Sequence, residues 1–177
     1  MKRNEKVLKL VYIALFAALT AALSQVAIPT PWVPLTLQTF AAALCGYMLG
    51  WRGGLAALAV YLLLGAAGVP VFANFKAGAQ ALVGPTGGFL FGFLPMAALC
   101  GLQIGRKRAV TGILLGLLGL LLCHAAGTLQ YAWVSHIGAG KAFLLVSLPY
   151  LLKDALSVAG AYFLARVLRK RIPHLNA

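Results

Sequence analysis

The feature that most constrains this chain is where its charges stop. Long apolar blocks are separated by short basic clusters, and the blocks themselves are almost free of acid. The basic residues fall in the N-terminal stretch (Lys2, Arg3, Lys6, Lys9), at Arg52, in the run Arg106-Lys107-Arg108, and near the C-terminus (Arg166, Arg169, Lys170, Arg171); only Lys76, Lys141 and Lys153 lie elsewhere. Cations gathered at the ends of apolar segments are the positive-inside signature of a membrane protein, not the continuous basic groove that tracks phosphates. A net charge of +13 therefore does not point to nucleic acid. Only 10% of residues are charged and 62% are hydrophobic. Soluble domains carry about 25% charge, so a water-soluble surface cannot be built from this composition. The expectation is a single integral membrane domain over 1–177.

Six spans can be drawn: about 7–28, 35–50, 54–69, 85–105, 109–134 and 147–168. "PTPWVP" (29–34) ends the first, because closely spaced prolines cannot continue a helix. Trp51-Arg52-Gly53 makes a tight turn between the second and third. Residues 70–84 are too mixed for a span and read as a longer loop. "SHIGAGKA" (135–142) also reads as loop, and Pro149 suits the first turn of the last helix. The first block resembles a secretory signal, with Ala22-Leu23-Ser24 as a small-residue site. Its apolar run from Val7 to Ile28 exceeds a signal core of about 7–15 residues, so an uncleaved first helix is expected. With the N-terminus in the cytoplasm, six spans put every basic cluster, and the C-terminus, on the cytoplasmic side. Lys76, Lys141 and Lys153 fall on the outer half.

Small residues recur at spacing four: Ala14, Ala18 and Ala22; Gly46 and Gly50; Gly84, Gly88 and Gly92; Gly101 and Gly105; Gly112 and Gly116. Such stripes let helices approach closely. Most are expected to pack inside the bundle, while the first-helix alanines could equally face a partner in the membrane. Cys45, Cys100 and Cys123 lie in apolar stretches and read as small buried thiols.

The acid that needs explaining is Asp154, in "SLPYLLKDALSVAG" (147–160). Glu5 is the other Asp or Glu in the chain. On a helix, Tyr150, Lys153, Asp154 and Ser157 share one face. A charge at membrane depth costs about 2.5–3.5 kcal/mol on insertion scales and usually faces a cavity and a partner. The functional reading is a polar ligand site open to the outside. The alternative is that Lys153 reaches outward to the interface and Asp154 merely accepts hydrogen bonds from neighbouring helices. Gln38, Asn74, Gln130, Tyr131 and Trp133 fall on the same outer half and could supply that site, although each alone could equally be an interfacial anchor or an interhelical hydrogen bond. The cytoplasmic half is nearly bare of buried polar groups, which favours one outward pocket over a pore. One intramembrane acid, and histidines at 124, 136 and 174 without ligand spacing, give neither acid–base machinery nor a metal site. There is no nucleotide-binding P-loop, so ATP-powered transport needs another subunit. Neither an enzyme nor a cofactor is expected.

"PLTLQTFAAALCGYMLGWRGGLAALAVYLLLGAAGVPVFANFKAG" followed by "LVGPTGGFLFGF" resembles the BioY family, the biotin-binding S components of energy-coupling factor transporters. "HAAGTLQYAWV" and "LPYLLKDALSVAGAYFLA" fit that family's last two spans, so the similarity covers nearly the whole chain. The resemblance implies an all-α fold of six transmembrane helices in the cell membrane of a prokaryote, with biotin as the transported ligand held near the outer face. It implies Asp154 as acceptor for the ureido N–H groups, Asn74 and Gln38 completing the ureido pattern, and Phe72, Phe75 and Tyr131 packing on the rings. Tyr150, Gln130, Lys153 and Ser157 complete the expected ligand-binding set. The family often has a lysine three residues after the acid; here that position is Ser157, and Lys153 precedes the acid on the same face. Ala14 and Ala18 match the family's docking feature for the transmembrane coupling subunit, which works with two ATP-binding subunits. The alternatives are an S component for another vitamin, a secondary transporter acting alone with a proton on Asp154, or an assembly protein without a ligand.

Overall fold

A computed structural model describes residues 2–102 and 109–171, and the side chains of residues 5–102 and 109–171. The run Arg106-Lys107-Arg108 and His174 lie outside the described residues. Seven helices appear among those described: α1 (Lys2–Ser24), α2 (Gln38–Ala66), α3 (Ala79–Val83), α4 (Gly87–Gly101), α5 (Ala109–Val134), α6 (Ala139–Val146) and α7 (Leu148–Arg171). By length and apolar composition, α1 from Glu5, α2 and α5 can each cross a membrane. The α6–α7 pair, bent by 53°, makes a fourth candidate, and α4 is a shorter apolar helix.

α2 consists of two helical arms that meet at a break. Gly50 has φ 77°, ψ 174° inside it, a left-handed conformation that glycine adopts without penalty. A Cβ added at Gly54 would lie 2.9 Å from the Cα of Gly46. Eight residues along a straight helix separate two positions by about 12 Å, so the two arms fold back on each other at Gly50. The turn expected at 51–53 thus begins one residue earlier, and α2 supplies two antiparallel helices where the sequence reading had two spans.

Small residues set the packing of this hairpin. Ala41, Ala42, Ala43, Cys45, Ala57 and Leu58 are buried in the main core with Met96, Ala97 and Cys100 of α4. Gly46 abuts the Ala97 carbonyl, and Gly88 and Gly92 abut Ala126 and Cys123 of α5. Those stripes therefore pack within the bundle, as their spacing predicts. Ala14, Ala18 and Ala22 do not: α1 buries Phe16, Ala17, Thr20 and Ser24 and leaves these three alanines exposed. Cys45, Cys100 and Cys123 are buried free thiols.

The outer surface of the bundle is apolar. Leu63, Val110, Leu129, Leu152, Leu156 and Phe163 are all exposed, with Trp133 at 77%. Soluble monomers rarely show apolar patches beyond a few hundred Å²; a hydrocarbon solvent makes this surface the favourable one. The chain is a multi-pass membrane protein.

The connections differ from the sequence reading in three places. α1 ends at Ser24 rather than Ile28. Ala27–Ile28 instead pair antiparallel with Leu35–Thr36, Ala27 opposite Thr36, closing the proline-rich turn into a small hairpin. Within 70–84, expected to be a loop, Ala73–Phe75 form a 3-10 turn and Ala79–Val83 form α3. Asn74 and Phe75 both have positive φ, 57° and 56°. Ala139–Val146 is helical where 135–142 was expected to be loop, and Ser147 ends it before α7 begins with Pro149 in its first turn. Gly138 and Gly140 read as loop residues, but Ala142 and Val146 bury one face of α6 on Tyr131 and Ala132, and this packing outweighs propensity.

Candidate functional site

The helix ends that lie away from the Gly50 turn surround one cavity. Val33, Pro34, Thr36, Gln38 and Thr39 come from the hairpin and the start of α2; Phe72, Ala73 and Lys76 from the loop after it. α4 gives Phe89, Leu90 and Phe93, α5 gives Leu120, Cys123 and His124, and α7 gives Tyr150, Lys153 and Asp154. The space is about 730 Å³ counting its open mouth. Its walls are mainly apolar and aromatic, with a few polar groups at fixed places.

Asp154 is the centre of those polar groups. It is 5% exposed, and its Oδ2 lies 3.2 Å from Nε2 of His124. Its Oδ1 forms an ion pair with the Lys153 ammonium. An ionised carboxylate has about four lone-pair sites, so Asp154 can accept from several neighbours at once. Lys153 also donates to the Thr36 carbonyl at 2.8 Å, which ties α7 to the second strand of the hairpin. One turn earlier, the Tyr150 hydroxyl donates to the Val33 carbonyl at 2.6 Å and lies 2.7 Å from Thr30 Oγ1. The face predicted from spacing thus does two things: Asp154 looks into the cavity, and Tyr150 and Lys153 hold the proline-rich hairpin over it.

The remaining expected residues lie in different surroundings. Gln38 lines the cavity; its Nε2 donates to the Tyr61 hydroxyl at 2.6 Å, and its Oε1 accepts from Thr36 Oγ1 at 3.2 Å. Phe72 lines it and stacks edge-on against Tyr61. Asn74 and Phe75 are on the same loop, but both are exposed and neither lines the cavity; Phe75 is 70% exposed. Gln130 is used as a clamp, donating to the Leu82 and Gly84 carbonyls, both at 2.8 Å. Tyr131 is buried behind the wall, in contact with the cluster that includes Val33, Phe89 and Val146. Ser157 opens instead onto a shallow outer groove with Phe40, Leu156 and Gly160.

His124, like Thr39, Lys76, Phe89 and Phe93, is a cavity residue that the sequence did not single out for the site. Its ring is 4% exposed, meets Phe89 edge-on, and places Nδ1 3.0 Å from Ser147 Oγ. Its signal in sequence was faint: a lone histidine inside an apolar helix, 30 residues from its acid. The loop wall is held in turn by α1. Ser24 Oγ donates to the Val71 carbonyl at 2.5 Å, and Gln25 Nε2 to the Val71 and Phe72 carbonyls, both at 3.2 Å. Among the described residues no group of His, Cys, Asp and Glu could hold a metal ion.

The BioY family profile matches residues 1–174. The "Biotin transporter BioY" of Thermotoga maritima is 40% identical over 92% of this chain and 96% of its own length. The "Probable biotin transporter BioY" of Pyrococcus horikoshii is 37% identical over 89% and 93%. A crystal structure of the S component for biotin from an ECF-type ABC transporter superposes with a TM-score of 0.86 at 26% identity, covering 96% of this chain and 95% of that one. These relatives are transporters and a transporter component, not enzymes. Sequence along nearly the full length and the shared arrangement of helices lead to one conclusion: this chain belongs to the BioY family.

Proposed function

We propose that this protein is the biotin-binding S component of an energy-coupling factor transporter in the cell membrane. The observation that carries the reading is a buried carboxylate, held by Lys153 and His124, in the wall of a mainly apolar and aromatic cavity. A ureido ring supplies N–H donors for Asp154, Phe72, Phe89 and Phe93 supply surface for the bicyclic rings, and Lys76 at the mouth supplies a cation for the valerate. Asn74, one residue from cavity-lining Ala73, completes the ureido pattern if the loop shifts on binding.

The six long helical pieces are α1, the two arms of α2, α4, α5 and α7. With both termini in the cytoplasm, Arg52 at the α2 turn and the basic end of α7 lie on the inner side. The cavity then opens to the outer face, where it captures biotin. The exposed Ala14–Ala18 face of α1 meets a transmembrane coupling subunit, and two ATP-binding subunits supply the energy that deforms the site and releases biotin inward.

The test is calorimetry on the purified chain in detergent with biotin, lipoate and thiamine. One-to-one binding of biotin, with lipoate (a carboxylate tail without a ureido ring) and thiamine far weaker, supports the reading. A folded sample that ignores biotin overturns it.

A further inference from the structure

The cavity's acid has a second polar neighbour that the biotin reading does not use. His124, Ser147, Thr128 and Asp154 are all buried and form one chain: Asp154 Oδ2 to His124 Nε2 at 3.2 Å, His124 Nδ1 to Ser147 Oγ at 3.0 Å, and Ser147 Oγ to Thr128 Oγ1 at 2.7 Å. The direction of these bonds follows from charge. Lys153 already neutralises Asp154; a second proton on the imidazole leaves a net positive charge buried at membrane depth, which is costly. The neutral ring has one N–H. An ionised carboxylate only accepts, so that N–H is on Nε2. Nδ1 is then the acceptor, Ser147 donates to it, and Thr128 donates to Ser147. Every buried donor in the chain is satisfied.

We propose that His124 is a positioning residue. In its Nε2–H form it holds Oδ2 of Asp154 while Lys153 holds Oδ1, and it ties the carboxylate through Ser147 to the joint between α6 and α7. Ser147 is fully buried and lies where the two helix axes bend by 53°. A hydrogen bond from a fixed imidazole orients a carboxylate as outer partners orient metal-binding groups. The ligand side of the inference rests on the biotin reading; the histidine–carboxylate bond does not.

Two measurements test it. In the first, purified full-length chain carrying ¹⁵N-histidine is examined by NMR in detergent at neutral pH, with His124→Gln used to assign the signal. The expected result is a neutral ring protonated at Nε2, whose signal moves in Asp154→Asn. A ring protonated at Nδ1 or at both nitrogens, or a signal indifferent to Asp154→Asn, overturns the proposal. In the second, biotin affinity is compared in His124→Gln and His124→Asn. Gln places an amide near the position of Nε2, whereas Asn reaches only the position of Nδ1. Asn leaves one oxygen of a buried carboxylate without its donor, so Asn is expected to lose about tenfold or more while Gln stays within about threefold. Equal affinities, or equal losses in the two variants, overturn the positioning role. If the parental chain itself ignores biotin, the functional reading fails, and the NMR result still decides the fate of the His124–Asp154 bond.

Discussion

Asp154 is held by two neighbours that ask different things of it. Lys153 balances its charge, and His124 occupies one of its oxygens. Asp154→Asn removes the charge and turns an amide donor toward the Lys153 ammonium and toward any ligand N–H. Losing one partner of a buried, hydrogen-bonded charge pair costs about 2–5 kcal/mol, so biotin affinity measured by calorimetry should fall by about thirtyfold or more. Lys76 acts at the other end of the cavity, and a ligand pair isolates its effect. Lys76→Gln should weaken biotin but leave biotin amide, which lacks the carboxylate, unchanged; an equal loss for both ligands would remove the valerate from Lys76. The acid itself was legible from sequence because it is alone in an apolar helix, and helical spacing found Tyr150 and Lys153 beside it. His124 was not, since pairing it with Asp154 requires knowing that α5 and α7 are neighbours. Gln130 and Tyr131 show the converse: polar or aromatic residues near the right helix end, used as a clamp and a support behind the wall.

Among the elements, the folded-back α2 is where local chemistry decides most. The basic turn and the glycines announced a break, and the span lengths followed from apolar runs. The connections were less legible. α6 and the 27–36 hairpin exist because of what they pack on, which no local pattern records. The near contact of Gly54 with Gly46 gives a direct test. Gly54→Val forces a side chain into backbone, and overpacking of this kind costs about 1–3 kcal/mol. Gly140→Ala meets no atoms within 4 Å and improves helix propensity. Thermal unfolding in detergent should show the first variant less stable than the parent and the second equal to it or slightly more stable.

At the scale of the whole molecule, two exposed apolar surfaces differ in relief. Leu129, Trp133, Leu152 and Leu156 offer large apolar side chains, whereas α1 offers the flat Ala14–Ala18–Ala22 stripe. The proposed coupling role predicts that Ala14→Trp with Ala18→Trp abolishes biotin uptake by cells carrying a complete transporter. Biotin binding by the purified chain should stay unchanged. Uptake at the parental rate would remove this stripe from the interface.

α1 is also a lever. Its 23 residues make a rod about 35 Å long, with the alanine stripe on its flank. Its tip, at Ser24 and Gln25, grips the backbone that carries Phe72. A tilt of about 5° about the far end swings that tip by about 3 Å, a whole hydrogen-bond length. A small sideways displacement of this rod would therefore arrive, enlarged by its length, at the wall of the cavity.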